Sequence, residues 1–545
     1  MRRVLVLQMC RLGDILQTVP MLRGLRREHP EAEITLVLHD LFERVPIPGR
    51  LYDRLVPFPY TQLVAPIARD PNDWPRALAR LREWVASLGA APFDLAINLT
   101  HTDLSNLLMV IVPAREHRGG VIAPDRTRVV RGDWMPYFWA SQTSRVQGCF
   151  NLVDLQNWAA GVACDAMPLE IEIPDAARQK IGQWLADRGL GDRPLVAMQL
   201  GASEERKRWP AEAFAQAADL LDPADGEIVL VGAGDERHLG ERAMAHARRR
   251  LHAAYGETTI LELAALLERC RLLITNDTGT MHVATAAGTR IIDISTGPVF
   301  VHETGPYGPG HFVIEPRTEC FPCIAGSTCH HFSCREAIAP GDVASLARHV
   351  LGRGPFPHPE RARILTGVFL PSRRIEYRTI WPVRGDASET VRRLSARAWE
   401  ETLCAPGVVA GAAGRGLEEL DLPADRVDQM VAALEGIADQ ATAASRLAGK
   451  IARAPSAGAS RLAAGIDAHL AQMEIGARIE PIGQPLVGYL KVRLSALAEP
   501  RVPNVARGYA LECAATARRA RRLAALLLEA AGYADEGSLK AEAAC

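Results

Sequence analysis

What the chain lacks narrows it first. None of its 545 residues fall in an uncharged apolar run of 18 or more, so no segment reads as a bilayer-spanning helix. It has no excess of basic charge. Sixty-three Lys plus Arg against 64 Asp plus Glu leave a net charge of -1, which removes the global electrostatic footprint of a nucleic-acid binder. Eleven cysteines are too sparse at this length for a disulfide scaffold, although four of them cluster. The apolar stretch between Met1 and Gln8 is too short for a secretory signal, and Arg11 and Asp14 follow it closely. What is present is ordinary for globular chains. Apolar residues make up 48% and charged residues 23%, which excludes a mostly disordered chain. The length exceeds what one core organises and predicts about three to four domain-sized units. The expectation is a soluble, intracellular, multi-domain protein.

Residues 3 to about 165 alternate short apolar runs with helical patterns. Arg3–Met9 reads as a buried strand, and Leu12, Ile15, Leu16, Val19, Leu22 and Leu25 recur at helical spacing, with Pro20 kinking or delaying the helix. Ile34–Leu38 and Asp94–Leu99 read as strands, and Arg76–Leu88 as a helix. The pattern restarts at Leu195–Leu200 and Glu227–Val231, and continues through strands at Leu272–Thr275 and Arg290–Ile294, with helices between them. Strands alternating with helices predict parallel sheets covered on both faces. The α/β class expected is therefore two Rossmann-like doubly wound domains facing a cleft, residues 1–167 and 194–354. Residues 168–193, with Pro174, Gly189, Gly191 and Pro194 as breakers, serve as the linker. Pro355, Pro357 and Pro359 mark a break, and 355–545 reads as a helical extension with amphipathic helices over Asp425–Ile451 and Val505–Ala531. Arg518, Arg519, Arg521 and Arg522 precede Leu523–Leu528. That order suits an anionic membrane surface, but a helix face that is solvated or packed on its neighbours is the favoured reading.

Three segments at strand ends carry chemistry. Arg11-Leu12-Gly13-Asp14 follows the first strand; its glycine lets backbone approach a ligand, while Asp14 either caps a helix or acts at the cleft. Gly201 to Pro210 follows Leu200 and contains Arg206-Lys207-Arg208 just before a helix. The segment suits an anionic ligand as well as it suits a solvated charge run. Thr275 to His282 runs from strand through turn to helix, where free N–H groups and the helix dipole favour phosphate. Gly232-Ala233-Gly234-Asp235 is a fragmentary nucleotide-type turn.

In that order and spacing, Leu12 to Pro20, Gly201 to Pro210 ending Lys207-Arg208-Trp209-Pro210, and Asn276-Asp277-Thr278-Gly279 with His282 resemble glycosyltransferase family 9, the lipopolysaccharide core heptosyltransferases. The cysteine cluster after Gly305-Pro306-Tyr307-Gly308 also matches members of the family, and the resemblance covers Met1 to about Gly352. It implies the two-domain GT-B architecture and transfer of a heptose from ADP-heptose to the inner core, with inversion at the anomeric carbon and without a required cofactor. By the same resemblance Asp14 is the general base. Ser203 and Lys207 hold the donor diphosphate, and Asp277, Thr278, Gly279 and His282 contact phosphate and donor sugar. Asp235 faces the adenosine ribose. Ala202 stands where some members have a hydroxyl residue, and the segment after 355 has no counterpart in the family. The implied partners are a nucleotide sugar and a lipid-linked saccharide acceptor, with no nucleic acid. The implied location is cytoplasmic, with a peripheral position at the inner membrane left open.

No Asp-x-Asp motif occurs, so the metal clamp of the other glycosyltransferase architecture is not signalled. Positive charge is then expected from Lys207, with Arg206 or Arg208, and from the helix start after Asp277. Each donor aimed at developing charge is worth roughly 3 to 4 kcal/mol. Asp14 looks an awkward base, because a helix start should lower a carboxyl already near 3.9. Cys320, Cys323, Cys329 and Cys334, with His330 and His331 inside the cluster, have near-metal spacing; a structural zinc, reduced thiols and a disulfide are all open. Two other functional readings are open. One is a GT-B transferase using another nucleotide sugar for O-antigen, capsule or protein glycosylation; the other is a non-catalytic scaffold with a vestigial site.

Overall fold

The computed structural model describes every residue except 43–46, 143–144, 324–326, 382–387, 404–421, 454–458, 498–501 and 533–545. The chain forms two compact units: Met1–Leu95 with Asn151–Trp381, and Ala96–Phe150 with Pro382–Cys545.

The first unit opens on β1 (Arg3–Gln8), which pairs in parallel with β2 (Glu33–Leu38), Arg3 opposite Glu33 and Gln8 opposite Leu38. β3 (Arg54–Leu55) and β4 (Phe93–Asn98) extend this pair on either side, in the order β3-β2-β1-β4. Val4 to Leu7 are all buried at 1% exposure or less, as an uninterrupted apolar run in a parallel sheet should be. The helical run after β1 divides into α1 (Leu12–Gln17) and α2 (Val19–Glu28). Pro20 sits in the first turn of α2, where its missing N–H deprives no carbonyl, so it delays the helix rather than kinking it.

The chain then passes through the second unit, where β5 (Ala114–Ile122) and β6 (Arg128–Arg131) form an antiparallel hairpin, and returns at Asn151. The second sheet of the first unit is built from β7 (Leu195–Gln199), β8 (Glu227–Val231), β9 (Leu251–Ala253), β10 (Cys270–Asn276), β11 (Ile291–Ile294) and β12 (Phe312–Pro316). It ends with β13 (Ala362–Phe369) and β14 (Ile375–Thr379), in the order β14-β13-β12-β11-β10-β7-β8-β9. β7 to β12 run parallel, and the last two strands are antiparallel additions at one edge.

These last strands displace the boundary expected at residue 355. Ile364, Leu365, Ile375 and Tyr377 are buried at 2% exposure or less, so the sheet needs them for its core, and the unit ends only at Trp381. The 168–193 segment is more than a linker. It holds a helix, Asp175–Ala186, whose Ile181 and Leu185 are buried and whose Arg178 pairs with Glu268 at 2.9 Å.

The second unit is dominated by helices, among them Ser388–Leu403, Ala424–Arg453, Gln484–Ser495 and Val502–Ala530. Ala438, Ala441, Ala444 and Ala448 form a fully buried small-residue stripe on the Ala424–Arg453 helix, which allows a neighbouring helix to approach closely. The arginines near the end divide: Arg518 and Arg521 are exposed, while Arg519 is buried and Arg522 half-buried. Arg519 lies 4.7 Å from the Tyr489 ring centroid and 5.4 Å from that of Trp399; Arg522 pairs with Glu401 at 2.5 Å, and Leu523, Leu526 and Leu527 are buried. The apolar side of this helix is packed on its neighbours, and Arg518 and Arg521 stand on its solvated side. Among the described residues no helix is long and apolar enough to cross a membrane.

Candidate functional site

Three strand ends of the first unit meet at one cavity. Its volume is about 200 Å³, and Arg11, Gly13, Asp14, Gln17, Ser203, Lys207, Asp277, Thr278, Gly279, His282 and Thr304 line it. The segment after β1 supplies the first four of these. The loop after β7 supplies Ser203 and Lys207, and the turn after β10 leads into α3 (Gly279–Ala286). β7 and β10 are neighbours in the sheet, which is why two loops 70 residues apart lie side by side.

Asn276, the last residue of β10, ties these loops together. Its amide donates to the carbonyls of Leu200 at 2.9 Å and Gly201 at 3.1 Å, and its Oδ1 accepts the Trp209 N–H at 2.9 Å. Trp209 is buried and donates through Nε1 to Ile338 O at 3.1 Å, so Trp209 and Pro210 anchor the Ser203–Lys207 loop from behind. Gly201 leaves room for the Glu236 carboxylate: a Cβ there would lie 1.6 Å from Glu236 Oε1, and the glutamate would have to swing aside. Gln199 Oε1 accepts from Thr275 Oγ1 at 3.1 Å and Thr278 Oγ1 at 3.3 Å, holding the turn from below.

The three cations do different things. Arg206 Nε donates to Glu204 at 2.7 Å and its Nη1 to Ser327 O at 2.6 Å, and Arg208 Nε donates to Ala202 O at 2.8 Å. Lys207 alone of the three lines the cavity, donating to Asp277 Oδ2 at 3.0 Å with only 16% of its side chain exposed. Sequence reasoning assigned no role to Arg11, the second cation of the cavity, although it heads the first segment. Its Nη1 donates to Ser203 Oγ at 3.2 Å. No side chain caps the start of α3; the Met281 N–H donates to Thr278 O at 3.1 Å, and a helix start of this kind favours an anion at the N–H groups before it.

Asp14 is the third residue of α1, and its Oδ2 accepts the Arg11 N–H at 3.1 Å in a capping arrangement. The expectation that the helix start depresses its pKa fails. Burial pushes the carboxyl above its ordinary value, outweighing the Arg11 N–H and guanidinium, and the charges of Asp277 and Glu303 add to the rise. A raised carboxyl is a better proton acceptor than an ordinary one. His282, one turn into α3, is 5% exposed, and burial pushes its pKa down to about 4, so it is neutral at pH 7. Its Nδ1 has no hydrogen-bond partner among the described residues.

Asp235 lies exposed outside this cavity, in a short turn at the end of β8. Glu236 beside it is the residue that braces the site, accepting from the Ala233 N–H at 3.0 Å. Gln17 and Thr304 also escaped sequence reasoning. The signal for Gln17 was its place three residues after Asp14 on one helix face; for Thr304 there was none.

Cys320, Cys323, Cys329 and Cys334 lie near one another: burial pushes the Cys323 thiol up, and the other three add to it. All four are free thiols. Among the described residues no group of three or more His, Cys, Asp or Glu is arranged to hold a metal ion, so of the three possibilities left open the structural zinc is without support in the geometry.

Residues 81–330 match the family described as Glycosyltransferase family 9 (heptosyltransferase). Lipopolysaccharide heptosyltransferase 3 of Escherichia coli is 25% identical over 289 residues, spanning 52% of this chain and 80% of that protein. Lipooligosaccharide heptosyltransferase 2 of Haemophilus influenzae is 30% identical over 122 residues, 22% of this chain and 35% of its own. The crystal structure of the glycosyl transferase family 9 from Veillonella parvula DSM 2008 aligns with a TM-score of 0.54 and 24% identity, over 64% of this chain and 97% of that one. The likeness shows the fold over 64% of the chain, the two-sheet α/β arrangement of GT-B proteins.

Proposed function

From the premise that this chain is a glycosyltransferase matching family 9, we propose that it transfers a heptose from ADP-heptose to a lipid-linked inner-core saccharide, with inversion and without a catalytic metal. The observation that carries this reading is the single cavity in which Asp14 faces Lys207, Arg11 and the start of α3. In the step proposed, the diphosphate of the donor lies against Lys207, Ser203 and the first N–H groups of α3, displacing Asp277 from the lysine. The acceptor hydroxyl oxygen attacks the anomeric carbon from the face opposite the diphosphate. The new C–O bond forms as the bond to the phosphate oxygen breaks, and ADP leaves with that electron pair. The hydroxyl proton passes to Asp14, and the charge developing on the leaving group meets Lys207 and Arg11 in a partly closed site. Neutral His282 suits a hydrogen bond to donor sugar or phosphate, and Asp235 is assigned to the adenosine ribose beyond the cavity. The reaction is placed on the cytoplasmic side, at the membrane that holds the acceptor.

Thermal protection by a panel of nucleotide sugars tests the donor: ADP-heptose is expected to give the largest rise in melting temperature. Asp14→Asn is expected to keep that protection and lose at least 100-fold in turnover, on the scale of a general base. Lys207→Ala is expected to lose both. Protection by a different nucleotide sugar and none by ADP-heptose would overturn the donor assignment, and parental turnover in Asp14→Asn would remove that carboxylate from the chemistry.

A further inference from the structure

Buried amides around the site are nearly all accounted for. Gln8 Nε2 donates to Asp14 O and Thr18 Oγ1, each at 3.4 Å. Gln199 Nε2 donates to Glu236 at 3.4 Å, and Asn276 Nδ2 to two carbonyls. Gln17 differs. It is 1% exposed, and its Nε2 has no hydrogen-bond partner among the described residues, yet it lines the same cavity as Asp14. A buried amide left without an acceptor is costly, and native structures retain such groups where something else fills the place.

Position decides what that something is. Gln17 stands one turn beyond Asp14 on α1, on the same helix face, in the wall contributed by the first sheet. The cation-bearing loop after β7 and the start of α3 form the other wall and suit the diphosphate. A proton acceptor needs the attacking hydroxyl within hydrogen-bond reach, so the sugar bearing that hydroxyl must lie along the α1 wall. An amide NH2 is a neutral donor, matched to a hydroxyl or ring oxygen. We infer that Gln17 is an acceptor-binding, specificity-determining residue, whose Nε2 donates to an oxygen of the acceptor saccharide beside the attacking hydroxyl. The assignment rests on the transferase reading above. It predicts discrimination as well as affinity, because an acceptor lacking that oxygen leaves a buried donor unpaired.

The test uses the full chain, its Gln17→Met variant, ADP-heptose, and heptose-deficient lipopolysaccharide as acceptor. Methionine keeps the volume and removes the donor. Without ligand the variant is expected to melt at or above the parental temperature, since no internal bond is lost. Its KM for the lipopolysaccharide should rise five- to tenfold, about the worth of one neutral hydrogen bond, with the KM for ADP-heptose within twofold of the parent. A melting temperature several degrees lower would make the amide a structural group and overturn the inference. So would an unchanged acceptor KM, or a rise in donor KM instead. If the parent itself transfers nothing, the proposed function falls, and Gln17 is judged by protection: the lipopolysaccharide should stabilise the parent more than Gln17→Met, and equal protection refutes it.

Discussion

Replacing Gly13 by alanine puts a methyl carbon 2.5 Å from His282 Cδ2 and 3.2 Å from His282 Nε2. Ordinary contact begins near 3.4 Å, so the ring and α1 must separate by about 0.9 Å. His282 is 5% exposed on a helix held by the second sheet, and Gly13 precedes Asp14, so there is little slack on either side. The two faces forced apart are those that carry Asp14 and the start of α3. Overpacking of this kind costs about 1 to 3 kcal/mol in stability, and a displacement near 1 Å at a reacting centre costs about 100-fold in rate. Gly13→Ala is therefore expected to reduce turnover by about two orders of magnitude and to lower the melting temperature. Heptosyl transfer from ADP-heptose and calorimetry of the full chain measure the two effects. A double-mutant cycle isolates the cause: in a His282→Ala background the methyl group has room, and the added loss of stability from Gly13→Ala should vanish. Parental turnover and melting in Gly13→Ala, or an undiminished penalty in the double variant, would refute the close approach of α1 and α3 as the device that sets the site.

Two further outcomes follow from groups away from the cavity. Asp154 is fully buried, and burial pushes its pKa up to about 7, although it accepts from Tyr307 Oη at 2.7 Å, Cys164 Sγ at 3.4 Å and the Ile375 N–H at 3.1 Å. The folded chain therefore binds this proton more tightly than the unfolded chain, whose carboxyl titrates near 3.9. Its contribution to stability falls as pH rises from about 4 to 7 and is flat above. Between pH 6 and pH 8 the loss is about 1.4 kcal/mol, and Asp154→Asn should remove that part of the pH dependence in urea unfolding; an identical pH dependence in the two proteins would contradict it. For the cysteine cluster, metal analysis of the purified chain should return less than stoichiometric zinc and four titratable thiols among Cys320, Cys323, Cys329 and Cys334. One tightly held zinc per chain would overturn that expectation.

Much of the first unit was legible in the sequence because its strands are buried on both faces and so appear as apolar runs. Glu227–Val231 is found where its pattern put it, and the other runs differ by a residue or two at their ends. β13 and β14 were not legible. Arg363, Thr366 and Arg378 interrupt their apolar residues, because antiparallel edge strands are wetted where the central ones are not. The helix Leu152–Ala160 escaped for another reason: all nine of its residues are buried, so it has no polar face to give it a period.

The candidate site divides along the same line between local and tertiary causes. A strand, a turn with glycine and a helix start are local, and they marked all three segments. Which cation of Arg206-Lys207-Arg208 enters the cavity depends on partners that lie far away in sequence or that the loop's own curl supplies. Ser327 and Glu204 draw one arginine aside, and the Ala202 carbonyl draws the other. The pKa of Asp14 is likewise set from outside its own helix. Local reasoning counts the Arg11 N–H and the helix dipole and concludes that the carboxyl is depressed. The desolvation that reverses this sign goes with a site closed over by α3, whose His282 meets Gly13 more than 260 residues further along the chain. A motif can thus mark a carboxylate as important while misreading its acidity, since importance is written in neighbouring residues and acidity in the walls that close around them.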